Sequence, residues 1–447
     1  LNVVFFEKAS LKYYQNSPVK IIVSALKMNS PSSLSAWLHY LETRHSESIQ
    51  LGLDRVRVVA MLLGLTSFDA VVITVAGTNG KGSTVAALNA IYRAAGYSVG
   101  SYTSPHLLAF NERICMNQVQ VTDDDLCDAF HAIHAVPASQ TLTYFEMATL
   151  AAFWIFKKQR PDVILLEVGM GGRLDATNLI DADLSIISTI DFDHQAWLGH
   201  TRDAIGYEKA GILRPGKHAI YADINPPASI RTYARDLGVA MLCLGEDYRL
   251  QEQKDGFELQ LHGATFSFPK PSLNLKAVGA ALVATMLLQN KLPIGKDSWS
   301  IACRYGTILG RQQCIDGPIK TVLDVAHNPQ SVALLADFME TQARTGRVHA
   351  VFSGLKDKDL CGLISPMQSI VDAWYPALLK CDRAPDEAWI RGVFLRTETM
   401  CSTVFSDPSA AYRAAMNLAV PGDWVVVYGS FLTVGAVIAA DLMEERG

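Results

Sequence analysis

Paired cysteines are missing from this chain. Its eight cysteines, Cys115, Cys127, Cys243, Cys303, Cys314, Cys361, Cys381 and Cys401, form no CxxC pair and no cluster with histidine. That scatter excludes a disulfide framework or a zinc site and fits reduced thiols. Also missing is any apolar run of the roughly 18 residues that crossing a bilayer demands. Glu7, Lys8, Lys12 and Lys20 interrupt the apolar residues near the start, so the stretch lacks the core of a signal peptide. Nor is there an excess of positive charge: 39 Lys and Arg stand against 44 Asp and Glu, a formal net charge of −5. Such a chain has no general attraction for nucleic acid, and any anion it binds must be held by a local device. A cytoplasmic protein that engages neither membrane nor nucleic acid is expected.

At 447 residues the chain is too long for one ordinary core, and two domains are expected. Residues 1–29 show no clear periodicity and are assigned no function. Pro31-Ser32-Ser33 followed by Leu34, Trp37, Leu38 and Leu41 reads as a capped amphipathic helix that opens the first domain. Short β-branched runs then alternate with helical patterns: Val71–Ala76, Val99–Thr103, Asp162–Val168, Leu184–Ile190 and Ala219–Ala222. Runs apolar on both faces and separated by helices predict a mostly parallel sheet covered on both sides. Residues 239–269 alternate instead, predicting a small antiparallel excursion. After a helix near Ala277–Gln289, a second series runs through Thr321–Val325, Val348–Phe352, Ile370–Trp374, Ser402–Phe405 and Trp424–Tyr428. The fold class is therefore α/β, with a larger domain over residues 30–305 and a smaller Rossmann-like domain over 306–447. The hinge is expected near 305–311.

The first apolar run ends at Gly77-Thr78-Asn79-Gly80-Lys81-Gly82-Ser83, and Thr84 to Ala90 continues as a helix. Glycines let successive backbone N–H groups point into one concavity, the helix start adds positive potential, and Lys81 supplies a mobile cation for phosphates. Ser83 stands where a hydroxyl can reach magnesium. A phosphate loop alone does not separate kinase, switch, motor and ligase. This one departs from the common Gly-x-x-x-x-Gly-Lys-[Ser/Thr] spacing, and no Asn-Lys-x-Asp guanine reader accompanies it, which argues against a switch GTPase.

Several further blocks follow in order: Thr103-Ser104-Pro105-His106-Leu107, Asn111-Glu112-Arg113-Ile114, Thr143-Tyr144-Phe145-Glu146, Glu167 through Asn178, Asp193-His194, Glu208-Lys209-Ala210-Gly211, Gly310-Arg311, and Asp324-Val325-Ala326-His327-Asn328-Pro329. Together with the phosphate loop they resemble the Mur-ligase superfamily, and within it the folylpolyglutamate and dihydrofolate synthases of the bacterial bifunctional type. The resemblance runs from about residue 32 to the C-terminus. It implies an ATP-dependent acid–amino-acid ligase that joins L-glutamate to dihydropteroate and to reduced folates through an acyl phosphate.

The resemblance also assigns roles. Gly77, Thr78, Asn79, Gly80, Lys81, Gly82 and Ser83, with Arg311, Asp324 and His327, would bind ATP. Ser83, Ser104, Glu167 and His194 would hold magnesium, two ions in all. Thr143, Tyr144, Phe145 and Glu146, with Leu174, Asp175 and Ala176, would surround the pterin-bearing substrate. Lys81, Glu167, His194 and Lys209 would carry the catalysis, and Lys209 would be carbamylated to N6-carboxylysine. By chemistry alone Lys209 reads as a solvated helix lysine, His194 as a core histidine or a ligand, and Asp324 as a helix cap. Asp193 is a possible acceptor for His194. In the family an asparagine begins the helix before the hinge and touches ATP; here Gly279 is read as standing in its place. A monomer is implied.

Two rival readings follow. A ligase of UDP-linked muropeptides normally carries a separate UDP-binding domain, and only about 40 residues separate Ser30 from the first strand. A nucleotide-dependent switch would need no second substrate pocket.

Overall fold

The computed structural model describes residues 31–44, 50–305 and 308–442. The expected N-terminal extension, and two residues of the expected hinge, lie outside them. The helix Leu34–Thr43 begins where the sequence places it, with the Ser33 hydroxyl accepting from the amide of Ala36 and Trp37 fully buried beneath it.

The larger sheet has eight strands: β1 (Val71–Ala76), β2 (Val99–Tyr102), β3 (Ile114–Met116), β4 (Val119–Gln120), β5 (Val163–Glu167), β6 (Leu184–Ile187), β7 (His218–Tyr221) and β8 (Ala240–Cys243). Their order is β4-β3-β2-β5-β1-β6-β7-β8. Along the order from β2 to β8 every neighbouring pair is parallel, and the two pairs that β3 makes, with β2 and with β4, are antiparallel. Val71–Ala76 is apolar on alternate and intervening positions alike because helices cover both faces: Ile73 and Val75 pack toward Leu88 and Ile91, whereas Val72 packs toward Phe153 and Leu150.

The antiparallel excursion is present as β9 (Tyr248–Gln253), β10 (Gly256–Leu261) and β11 (Ala264–Pro269). Its apolar face lies on the helix Leu275–Leu287, where Gly279 admits Leu250: a Cβ on Gly279 would come within 2.5 Å of that side chain.

The second sheet holds β12 (Gln313–Ile315), β13 (Lys320–Asp324), β14 (Val348–Phe352), β15 (Ala373–Pro376) and β16 (Trp424–Tyr428), in the order β12-β13-β16-β14-β15. β12 is antiparallel and the rest parallel. Two predicted runs move. Ile370–Trp374 becomes a strand only from Ala373, because Ile370 and Val371 turn back on the carbonyl of Met367 and the Asp372 carboxylate takes the amide of Val348. Ser402–Phe405 forms no strand; it makes one bridge, Ala377 with Phe405, before Asp407 and Pro408 start a helix. Among the described residues no helix is long and apolar enough to cross a membrane.

Candidate active site

Strand β1 lies at the centre of the larger sheet, between β5 and β6, where crossovers leave in opposite directions and ligands enter at the carboxyl ends of strands. The phosphate loop emerges there. Gly77 has φ 147°, and a Cβ on it would fall 1.9 Å from the Ser188 hydroxyl, so no other residue fits. The residues that follow β6 hold the loop down. Ser188 donates to the carbonyl of Asn79 at 2.6 Å, and the Thr189 hydroxyl accepts from the Asn79 amide at 3.0 Å. The Thr78 hydroxyl donates to the carbonyl of Asp191, also at 3.0 Å.

Two lysines converge on one carbonyl. Lys81 donates from Nζ to the Gly77 oxygen at 3.1 Å and to that of Thr78 at 3.2 Å, while Lys209 donates to the same Gly77 oxygen at 2.9 Å. Enclosure lowers the pKa of Lys81, and Glu167 opposes that fall. Lys209 is buried, far from the solvated helix lysine of the bare sequence, and burial together with the neighbouring charge of Lys81 brings it down to about 7. A substantial part of it is therefore a neutral amine at neutral pH.

Glu167 ends β5 and is buried. Burial pushes its carboxyl above the usual range, against the pull of Lys81 and an accepted hydrogen bond from the Ser104 amide at 3.2 Å. Asp175 is likewise raised by burial, although it accepts from the Thr177 hydroxyl and from the amides of Thr177 and Met170. His194 starts a short helix at φ 50°, and burial holds it at about 4, so at neutral pH its imidazole is uncharged and has a lone pair to offer. Asp193 stands 3.9 Å from His194 Nε2, too far to orient it. Its close partner is Lys358 of the second sheet's domain, at 2.5 Å, with His327 Nε2 at 3.6 Å. Burial raises Asp193, but His327, His194 and Lys358 together hold it far below the ordinary carboxylate range.

These groups line a cleft of about 530 Å³ between the two large sheets. One wall holds Gly77 to Gly82, Ser104, Glu167, His194 and Lys209; the other holds Arg311, His327, Lys358 and Arg383. At one end Thr143, Phe145, Glu146, Leu174, Asp175 and Ala176 come together as the sequence proposes. Thr143 and Glu146 cap each other's backbone, and Arg55 pairs with Glu146 at 3.0 Å. Tyr144 is not part of this lining; it packs edge-on to Phe110 and beneath the Arg113 guanidinium. The helix period turns it away from Phe145 and Glu146.

A second cavity, of about 130 Å³, opens on the other side of the loop and is lined by Asn79, Gly80, Ser83, Asn274, Arg311, Asp324 and Gln330 among others. Ser83 thus faces a different cavity from Ser104, Glu167 and His194. Arg311 lies at both, its guanidinium carbon 5.3 Å from the centre of the Phe431 ring. Asp324 is buried and does not cap the following helix; it accepts from the amides of Gln312 and Ala326, and Asn328 is the cap.

Three features were not found in the sequence. Gly279 packs against Leu250 and lines neither cavity, whereas Asn274 caps the same helix and faces the smaller cavity. Its signal was an Asn directly ahead of an apolar helix. Gln50, Leu51 and Gly52 line the same cleft, the Gly52 amide donating to the carbonyl of Leu174, and only the glycine hinted at a turn. Asn79 and Asn328 exchange amide hydrogen bonds of 3.0 and 2.9 Å across the two domains, and Asn79 also donates to Gln330 at 2.6 Å.

Residues 310–431 match the family model described as Mur ligase, glutamate ligase domain. Over 409 residues the chain is 37% identical to the dihydrofolate synthase/folylpolyglutamate synthase of Escherichia coli (strain K12), covering 91% of this chain and 95% of that protein. It is 32% identical to the protein of the same description from Haemophilus influenzae, covering 92% and 98%. Among solved structures, E. coli FolC in complex with DHPP and ADP superposes with a TM-score of 0.88 at 36% identity, covering 94% of this chain and all of the other. A bifunctional folylpolyglutamate synthase/dihydrofolate synthase with Mn, AMPPNP and L-glutamate bound gives 0.84 at 38% identity, covering 92% and 98%.

Proposed function

The chain belongs to the dihydrofolate synthase/folylpolyglutamate synthase family of the Mur ligase superfamily, and on that premise we propose how its residues divide the work. It is an ATP-dependent ligase that joins L-glutamate to dihydropteroate and to reduced folates. The observation that carries our assignment of roles is the single cleft lined by the phosphate loop, Glu167, His194 and Lys209 on one side and by Arg311 and His327 on the other.

ATP lies along the loop, its adenosine toward Asn274 and Asp324 and its γ-phosphate toward Lys81, with Arg311 reaching over the phosphates. The acceptor lies between Thr143–Glu146 and Leu174–Ala176, with its carboxylate toward Glu167. An oxygen of that carboxylate attacks the γ-phosphorus, the bond to ADP breaks, and an acyl phosphate results. The amine of L-glutamate, admitted beside His327, then attacks the acyl carbon; phosphate leaves and the amine gives up a proton. Lys81 leaves its two backbone carbonyls to follow the charge on the transferring group. The walls exclude water from the acyl phosphate.

The donor set fits magnesium: a buried carboxylate at Glu167, hydroxyls at Ser104 and Ser83, and an uncharged imidazole at His194. Two ions would be held by these four residues and, when bound, neutralise phosphate oxygens. Lys209, as its neutral amine, attacks carbon dioxide, and loss of a proton leaves N6-carboxylysine, an anion that would face the same phosphates and ions. Both walls come from one chain, which supports a monomer.

A coupled assay of ADP release tests this reading. Turnover is expected only with L-glutamate plus dihydropteroate or tetrahydrofolate, and none with UDP-linked muropeptides. ADP release that ignores the acceptor would overturn it in favour of a nucleotide switch.

A further inference from the structure

Arg113 precedes β3 and is only 9% exposed, yet among the described residues it forms no ion pair with a carboxylate. Two half-buried arginines of the same domain are paired with acids, Arg55 with Glu146 and Arg214 with Asp181, and Arg44, which is not, spends its guanidinium on the carbonyls of Ser139 and Leu142. The acid next to it in sequence, Glu112, is committed to the amides of Leu107, Leu108 and Ala109 at 2.7 to 2.8 Å. A cation withdrawn from water without a counter-charge is costly, and a fold tolerates one where a ligand brings the missing anion.

The surroundings fix the orientation of this guanidinium. Its Nε–H donates to Nδ1 of His106 at 2.8 Å, and its carbon lies 5.4 Å from the centre of the Phe110 ring and 5.6 Å from that of Tyr144. With Nε turned to the imidazole and the rings beside the guanidinium, the edge carrying the two Nη atoms is the one left for a ligand. Arg113 and His106 both line the 530 Å³ cleft together with Ser104, Glu167, Thr143 and Glu146, and the charge of Arg113 acts on Glu167. A planar fork at such a place suits a carboxylate, which takes two parallel N–H donors.

We propose that Arg113 is the receptor for the carboxylate of dihydropteroate, and that His106 is a positioning residue that holds the guanidinium in plane. The proposal rests on the functional reading above, because it takes the occupant of the cleft to be a pterin-bearing acid. Arg113 aligns the carboxylate before phosphoryl transfer and releases it as the acyl phosphate forms. The antiparallel strand β3, which lies between β2 and the edge strand β4, thereby has a place in substrate selection.

The experiment is calorimetric titration of the whole chain, with ADP and magnesium present so that no turnover occurs. The two ligands are dihydropteroate and the same pterin-aniline lacking the carboxyl group. Arg113→Met is expected to weaken dihydropteroate about 10- to 100-fold while changing the decarboxylated analogue by less than about twofold. Arg113→Lys should fall between, since it keeps the charge and loses the fork. His106→Asn, which retains an acceptor, should bind dihydropteroate nearly as the parent does, and His106→Leu should weaken it about tenfold without affecting the analogue. Equal weakening of both ligands by Arg113→Met would make Arg113 a structural residue and overturn the proposal. If the parent chain binds neither ligand, the pterin reading of the cleft fails and the proposal with it.

Discussion

The two walls of the large cleft distribute charge differently. On the wall built by the eight-stranded sheet, Glu167, Asp175 and Lys209 are each 6% exposed or less, held by backbone amides and by a loop carbonyl. On the wall built by the five-stranded sheet, His327 and Arg311 are half-buried, Arg383 is open to solvent on Asp357, and the enclosed Lys358 is spent on Asp193 of the opposite domain. Buried charges interact strongly and titrate far from their usual values, whereas rim charges are screened. On the roles proposed above, bond-making belongs to the first wall and capture of the nucleotide and glutamate to the second.

Substitutions on the first wall should therefore cost most. Lys81→Ala is expected to lower kcat/KM on the order of 10³-fold with an unchanged melting temperature, measured by ADP release and by calorimetry. Near-normal turnover at saturating ATP would break the contrast between the walls. Glu167→Gln with His194→Ala should raise the magnesium needed for half-maximal rate by about 10²-fold, and an unchanged magnesium titration in both would move the ion elsewhere.

Lys209 sharpens the same comparison through pH. Its amine must be neutral to take up carbon dioxide, and with a pKa of about 7 the neutral fraction falls as pH drops below that value. Before equilibration with magnesium and ATP, uptake of ¹³C-labelled carbon dioxide should decline from pH 8 to pH 6, and Lys209→Arg should take up none. A fully active enzyme with no labelled carbamate resonance would return Lys209 to a plain cation.

On the second wall, Asn328→Ala removes two hydrogen bonds to Asn79 and is expected to raise the KM for ATP roughly tenfold with a small change in kcat. Tyr144→Phe should have the smallest effect, within about twofold on every constant, because the ring keeps its contacts with Phe110 and Arg113 outside the cleft lining.

What the sequence made legible follows the strength of local patterns. Val71–Ala76, Val348–Phe352 and Trp424–Tyr428 are buried on both faces and bounded by turns, and all three strands begin and end where the runs do. The antiparallel strands β3, β4 and β12 are two or three residues long, too short to carry a period, and they lie outside the predicted runs. Contiguous motifs placed Glu167, His194, Lys209 and the phosphate loop in one cleft. Pairings across 249 residues, such as Asn79 with Asn328, leave no local trace, and neither does the side on which Tyr144 or Ser83 faces.

Two of the bridges between the domains also differ in kind. Lys358 and Asp193 attract as opposite charges, while Asn79 and Asn328 meet as neutral amides, each donating and accepting once. Because the charged pair is enclosed, dissolved ions screen it only weakly, and they leave the amide pair untouched. Acid strong enough to protonate Asp193 would instead remove one bridge and spare the other. A joint made of both is thus only partly responsive to its medium: salt should change it little, whereas acid strong enough to discharge Asp193 should loosen the side nearer His194 and His327 while the side at the nucleotide loop stays fastened.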